Sequence, residues 1–272
     1  MAYHVELQFA AKTDTGLTRP HNEDSIAISP AYGLAILADG MGGYNAGEVA
    51  SGIASGIVRE SLEEQLRNYV SSARPNRAKY FQQLMVEAIE RANSAILEAA
   101  RSEPRYAGMG TTLVAALCHH DKVIIAHVGD SRAYRLRQGE LTVITRDHSM
   151  LQEQIDAGLV EPELARFSPN RNLITRAVGV DYDVDVEIHE HTTRVGDIYL
   201  LCSDGLSDMM STMEISEIVN RPGASLVATC DALVARANGN GGRDNISVIL
   251  IKIQSHNPEA GGLFGRIRNW VK

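Results

Sequence analysis

Four apolar segments crowd the stretch from Thr111 to Thr145, and the links between them are too short to hold a helix. Thr111–Cys118, Val123–Val128, Arg132–Arg137 and Leu141–Thr145 have strand length and strand composition. His119–Lys122 and Gln138–Gly139 leave room for a hairpin turn only. Parallel neighbours need a crossover of about a dozen residues, so these strands must pair antiparallel, as a meander.

Helices sit to one side of that block. Ala46–Val70 carries a continuous apolar stripe at the helical period, and Ser71–Asn76, with Pro75, breaks it. Ala78–Arg101 repeats the stripe through Phe81, Met85, Ile89 and Ile96. Strands are expected before these helices at Val5–Ala11, Ser25–Ser29 and Gly33–Ala38. Later strands are expected at Val184–Glu190, Asp197–Cys202 and Asn245–Ile253, with helices over Thr212–Asn220 and Ala224–Ala237. Ser149–Asn172 is irregular and reads as a helix followed by an exposed loop. Clustered helices and antiparallel blocks predict an α+β fold, a layered α-β-β-α sandwich of two mainly antiparallel sheets flanked by helices. Residues 1–254 are read as one domain and 255–272 as a C-terminal tail.

Composition narrows the function. The 34 acidic residues outnumber 26 basic ones for a net charge of −8, which speaks against nucleic acid as a partner. Cys118, Cys202 and Cys230 lie far apart, without disulfide or zinc spacing, so a reducing, cytoplasmic setting is expected. No signal peptide and no transmembrane run is visible.

Five segments place a carboxylate at a strand end or turn. They are Arg19-Pro-His-Asn-Glu23-Asp24-Ser25, Asp39-Gly40-Met41-Gly42-Gly43, Gly129-Asp130-Ser131-Arg132, Ser203-Asp204-Gly205 and Arg243-Asp244-Asn245. One Asp-Gly is ordinarily just a turn. Here each charge abuts an apolar strand, where desolvating it alone would be costly. Carboxylates gathered at one end of a sandwich need divalent cations, and oxygen ligands without His or Cys select Mg²⁺ or Mn²⁺.

In order and spacing these segments resemble the metal-dependent serine/threonine protein phosphatases of the type-2C (PPM) family, bacterial type. Gly110-Thr111-Thr112-Leu113 and Thr145-Arg146-Asp147-His148-Ser149 add to the likeness, which runs from about Thr13 to Ile253. It implies that Asp39 bridges two metals and that the Gly40 carbonyl and Glu23 serve the second. It implies Asp204 and Asp244 on the first, Asp24 ordering water, and Asp130 with Asp204 at a third site. Arg19 takes the substrate phosphate, Asn245 supports Asp244, and residues 149–172 correspond to a flap. The implied reaction is hydrolysis of phosphoserine and phosphothreonine by direct attack of a metal-bridged water. Implied partners are phosphorylated proteins, targets of a bacterial Ser/Thr kinase, with the kinase itself a candidate and the phosphatase a monomer.

Met41 stands where many eukaryotic relatives carry a histidine, so the proton donor is left open among His21, His148 and a metal-bound water. Two readings from other classes are a phosphoprotein-binding pseudophosphatase and a non-catalytic cation scaffold. The first predicts a missing carboxylate, and the second does not require Arg19. Cys230 and Arg236 have cysteine-phosphatase spacing but lie in a helical apolar pattern without glycine. The glycine loop at 40–47 lacks the residues of a dinucleotide site or a P-loop.

Overall fold

The computed structural model describes residues 3–43, 45–69, 77–161 and 173–258. In chain order, β1 (Tyr3–Asp14), β2 (Asp24–Ser29) and β3 (Leu34–Met41) precede the helices α1 (Ala46–Arg67) and α2 (Arg77–Ser102). Next come β4 (Gly110–Thr111), β5 (Leu113–His119), β6 (Lys122–Val128), β7 (Arg132–Arg137) and β8 (Glu140–Val143). The short helix α3 (Met150–Asp156) leads to β9 (Glu187–Thr192) and β10 (Ile198–Cys202). The chain closes with α4 (Asp204–Ser207), α5 (Thr212–Val219), α6 (Leu226–Gly239) and β11 (Ile246–Pro258).

Two antiparallel sheets result, one ordered β1-β11-β10-β7-β8 and the other β2-β3-β5-β6-β9, with β4 added on β3. Leu34, Ile36 and Ala38 face α1 and α2, packing with Ala54, Val58, Met85 and Ile89. The alternate residues Ala35 and Leu37 face the other sheet and meet Tyr199, Leu201, Ile249 and Ile251. Leu200, Val248 and Leu250 point outward onto α5 and α6 through Ile215, Leu233 and Val234. Covering both faces of both sheets explains why these strands are apolar throughout instead of alternating. The layered sandwich is as expected.

The meander is not. β5 pairs with β6 and β7 pairs with β8, but β6 and β7 belong to different sheets. Gly129–Ser131 carries the chain across the sandwich. Gly129 takes a φ of +103°, where an L side chain is strained, and its missing Cβ would strike Thr112. A short link serves a hairpin and a sheet-to-sheet crossing equally well, so link length could not separate the two.

The last strand also runs past the predicted domain end at 254, because Tyr3–Glu6 gives it a pairing edge as far as Pro258. Ser149 caps α3, its hydroxyl accepting from Gln152 N at 3.2 Å, so the first part of the 149–172 segment is helical. Residues 162–172, the predicted break at 71–76 and the tail beyond Pro258 lie outside the described residues.

Candidate metal centre

Antiparallel register puts Asp24 of β2 directly opposite Asp39 of β3. β3 then continues to pair Gly40 with Thr111. Thr112 N and Thr111 Oγ1 both donate to the Asp39 carbonyl at 2.8 Å, which anchors this corner. Gly40 is pressed against the turn into α1: a Cβ there would collide with the carbonyl oxygens of Gly47 and Glu23. Only glycine permits that approach.

The second sheet reaches the same end through β10 and β11. Ser203 follows β10, and its hydroxyl accepts from Ser247 N at 2.9 Å while donating to Asp24 Oδ2 at 2.8 Å. One buried hydroxyl therefore ties the two sheets together behind the acidic cluster. Asp204 opens α4 immediately afterward, and Asp244 precedes β11. Asn245 accepts from Glu23 N at 2.8 Å and donates from Nδ2 to the carbonyls of Thr15 and His21, each at 2.9 Å. Its main role here is thus to hold the loop that carries Glu23. Its tie to Asp244 is through the backbone, Asn245 N donating to Asp244 Oδ1 at 2.9 Å.

The sheet crossing supplies Asp130. Thr112 Oγ1 and Ser131 Oγ share a hydrogen bond of 2.7 Å, and Arg132 grips Asp147 through two bonds of 2.8 and 2.6 Å. These contacts stiffen the walls around the crossing turn.

Glu23, Asp39, Gly40, Asp130, Asp204 and Asp244 all line one cleft of about 380 Å³, with Arg19 at its wall. Arg19 donates to Asp244 Oδ2 at 2.7 Å. Burial, then repulsion from Asp24, Asp204, Asp130 and Asp244, pushes the Asp39 carboxyl well above its ordinary range. Asp204 is raised in the same way, burial first and Asp130 next. Burial also lifts Asp24 to about 6 and, with help from Asp147, Asp130 to about 7. Asp24 Oδ1 and Asp130 Oδ1 are buried without a hydrogen-bond partner. Repelling carboxylates with orphaned oxygens fit a divalent cation, since positive charge removes both costs together. The donors are all oxygen, which suits Mg²⁺ or Mn²⁺.

A family model described as Protein phosphatase 2C matches residues 19–250. The chain belongs to the protein phosphatase 2C family. Serine/threonine protein phosphatase PstP of Mycobacterium tuberculosis is 37% identical over 247 residues, which are 91% of this chain and 45% of that relative. This chain thus spans less than half of PstP. Serine/threonine phosphatase stp of Listeria monocytogenes is 36% identical over 244 residues, covering 89% of this chain and 94% of its own. The crystal structure of the PstP catalytic domain in complex with two manganese ions superposes with a TM-score of 0.79 at 37% identity. That alignment covers 92% of this chain and 99% of that one.

Within this protein phosphatase 2C domain, neither Asp24 nor Asn245 lines the cleft; Asp24 is held by Ser203, and Asn245 holds the backbone of the cleft residue Glu23. His148 is placed elsewhere. Its buried ring accepts from Gly129 N at Nδ1, 3.1 Å, and its Nε2 lies 3.2 Å from Glu187 Oε2. It stacks on His127 at 4.7 Å and does not line the cleft, so the structure gives it a supporting place and no view of a leaving group. His21 does not line the cleft either. Cys230 sits in α6 with its thiol raised to about 12 by burial, which removes it as a nucleophile.

Sequence reasoning passed over Ser203 and gave Thr111 and Thr112 no role. Hydroxyls beside apolar strand ends were a signal for both. It also missed the wall formed by residues 173–177, 180 and 181, which contributes Arg176 and Asp181 to the cleft. Nothing local marks that stretch as part of a site.

Proposed function

We propose that this chain hydrolyses phosphoserine and phosphothreonine in proteins at the acidic cleft, using two divalent ions, Mn²⁺ or Mg²⁺, with a weaker third. The observation that carries this reading is the gathering of Glu23, Asp39, Asp130, Asp204 and Asp244 around one cleft that also holds Arg19. Asp39 would be shared by both core ions, with Asp204 and Asp244 on one, Glu23 and the Gly40 carbonyl on the other, and Asp130 with Asp204 on the third. When bound, such ions supply positive charge to a phosphate dianion and make a water nucleophilic near neutral pH.

The chain's own groups do the rest. Ser203 and Asn245 hold Asp24 and Glu23 in place before any ligand arrives, so little ordering remains at the moment of reaction. Arg19 has a planar fork that can grip two phosphate oxygens, and its present partner Asp244 already aims it at the cleft. No histidine lines the cleft among the described residues, so the leaving serine or threonine oxygen takes its proton from water. The wall at residues 173–177, 180 and 181 would shape the entry of a peptide.

The likeness to bacterial serine/threonine phosphatases supports phosphorylated proteins as substrates; we take these to be products of a bacterial Ser/Thr kinase, the kinase itself included, and the working form to be a cytoplasmic monomer. No helix among the described residues is long and apolar enough to cross a membrane.

The test is Mn²⁺-dependent phosphate release from p-nitrophenyl phosphate and from a phosphothreonine peptide. Asp39→Asn should remain folded by near-ultraviolet circular dichroism and lose on the order of 10³-fold in activity. Full activity in that variant would refute the assignment.

A further inference from the structure

A second set of donor atoms lies away from the cleft, on the inner face of the β6–β9 ladder. Val123 and Ile125 of β6 belong to the core between the sheets, and the two-residue period places His127 on the same face. Across the ladder His127 is paired with Glu187, and His189 follows two residues further along β9. One ring nitrogen from each histidine and one carboxylate oxygen of Glu187 lie within 4.8 Å of one another. None of the three residues lines the carboxylate cleft.

Each of these histidines has one buried nitrogen without a hydrogen-bond partner. His127 is fully buried; its Nε2 donates to the Arg146 carbonyl at 2.9 Å, and its Nδ1 has no partner. That bond fixes the tautomer that leaves the Nδ1 lone pair free, the way an outer carbonyl orients a metal-binding histidine. Burial foremost keeps the ring neutral, lowering it to about 4. His189 Nε2 is also buried and stands 3.0 Å from Glu187 Oε1 without the alignment of a hydrogen bond. The other Glu187 oxygen is taken up with His148, 3.2 Å away, so Oε1 is the one that faces His189.

We propose that His127, His189 and Glu187 form a binding site for a borderline divalent ion, Zn²⁺ foremost, separate from the oxygen-only centre. Two imidazoles with one carboxylate are a donor set that zinc favours and magnesium does not. Tetrahedral zinc ligands stand about 3.3 Å apart, given bonds of about 2.0–2.1 Å. The set must therefore close by roughly 1.5 Å. Glu187 and His189 can do this by side-chain rotation, because β9 is an edge strand and both keep accessible surface, 36% and 22%. The same exposure leaves a fourth position for water. His191, next along the face, stays outside the set: Arg135 and Arg137 stand near it and repel a cation there.

Titration with Zn²⁺ in millimolar Mg²⁺, followed by calorimetry, tests the site, with Co²⁺ as a visible-spectrum reporter of four-coordinate nitrogen ligation. One Zn²⁺ per chain should bind beyond what Mg²⁺ displaces, weakened at least tenfold in His189→Ala and in Glu187→Gln. The four-coordinate Co²⁺ bands should vanish in His189→Ala and persist in Asp39→Asn. Both test variants alter partly exposed side chains, so folding is not at stake as it would be for His127. The proposal is overturned if no Zn²⁺ binds in excess Mg²⁺, if both variants bind as the parent does, or if Asp39→Asn alone abolishes binding.

Discussion

Asp24 and Asp39 face each other directly across the β2–β3 ladder, each densely surrounded by protein. Like charges at such a pair destabilise a sheet. The two strands can keep this register only if a proton or a cation neutralises the pair. Asp24 is raised to about 6 and Asp130 to about 7 from 3.8, so the metal-free fold holds protons that the unfolded chain would release. Its stability from these groups is therefore complete below about pH 4, falls as pH rises through 6 and 7, and is lost above that range. The Asp24 share is on the order of 2–3 kcal/mol. Urea denaturation of chelator-treated protein from pH 4.5 to 8 should show a decline that Asp24→Asn flattens. Parallel curves for the two proteins would contradict this.

Arg19 is half-exposed and bonded to Asp244, so its replacement should leave stability nearly unchanged. Activity on a phosphopeptide should fall about 10²-fold in kcat/KM for Arg19→Ala. Arg19→Lys should recover little of this, because an ammonium lacks the two-pronged donor. Recovery to parental values in the lysine variant would mean that charge alone suffices.

Asn245 makes three side-chain hydrogen bonds that bridge β11 to the loop before β2. Asn245→Ala leaves Glu23 N and two carbonyls without these partners at a buried position. A loss of about 2–4 kcal/mol in chemical denaturation is expected, together with weaker Mn²⁺ binding. Unchanged Mn²⁺ affinity would show that the loop is held by other means.

His148 braces the turn of Asp130 from behind, and its ring nitrogens are already engaged. His148→Gln should lower stability by about 1–3 kcal/mol. The alkaline limb of the kcat profile for a phosphopeptide, where a proton donor would titrate, should not move. A shift of that limb would restore the histidine as the proton donor.

Much of the architecture could be read locally. The stripes of Ala46–Val70 and Ala78–Arg101 gave two helices within three residues of their observed ends, since amphipathic period is written residue by residue. The acidic segments were readable for a similar reason. A charge set against an apolar strand end, as at Ala38-Asp39-Gly40, is a local conflict that demands a partner.

Other features depended on residues that meet only after folding. Gly129–Ser131 had to choose between turning back and crossing the sandwich. That choice rests on β7 finding β10, whose paired residues lie 62 to 70 positions further on. Asn245 was assigned to its neighbour Asp244, whereas its side chain holds Glu23, 222 positions away.

From the chain alone came the two-sheet sandwich, the helices that cover it and the carboxylates that needed company, because hydrophobic period and the penalty on a lone buried charge act over a few residues. The tertiary structure alone decided that Asp24 and Asp39 share a register, that Arg19 leans on Asp244 and that His148 is a brace. Those outcomes follow from long-range strand pairing and from which backbone groups each side chain meets, and neither is encoded in any one segment.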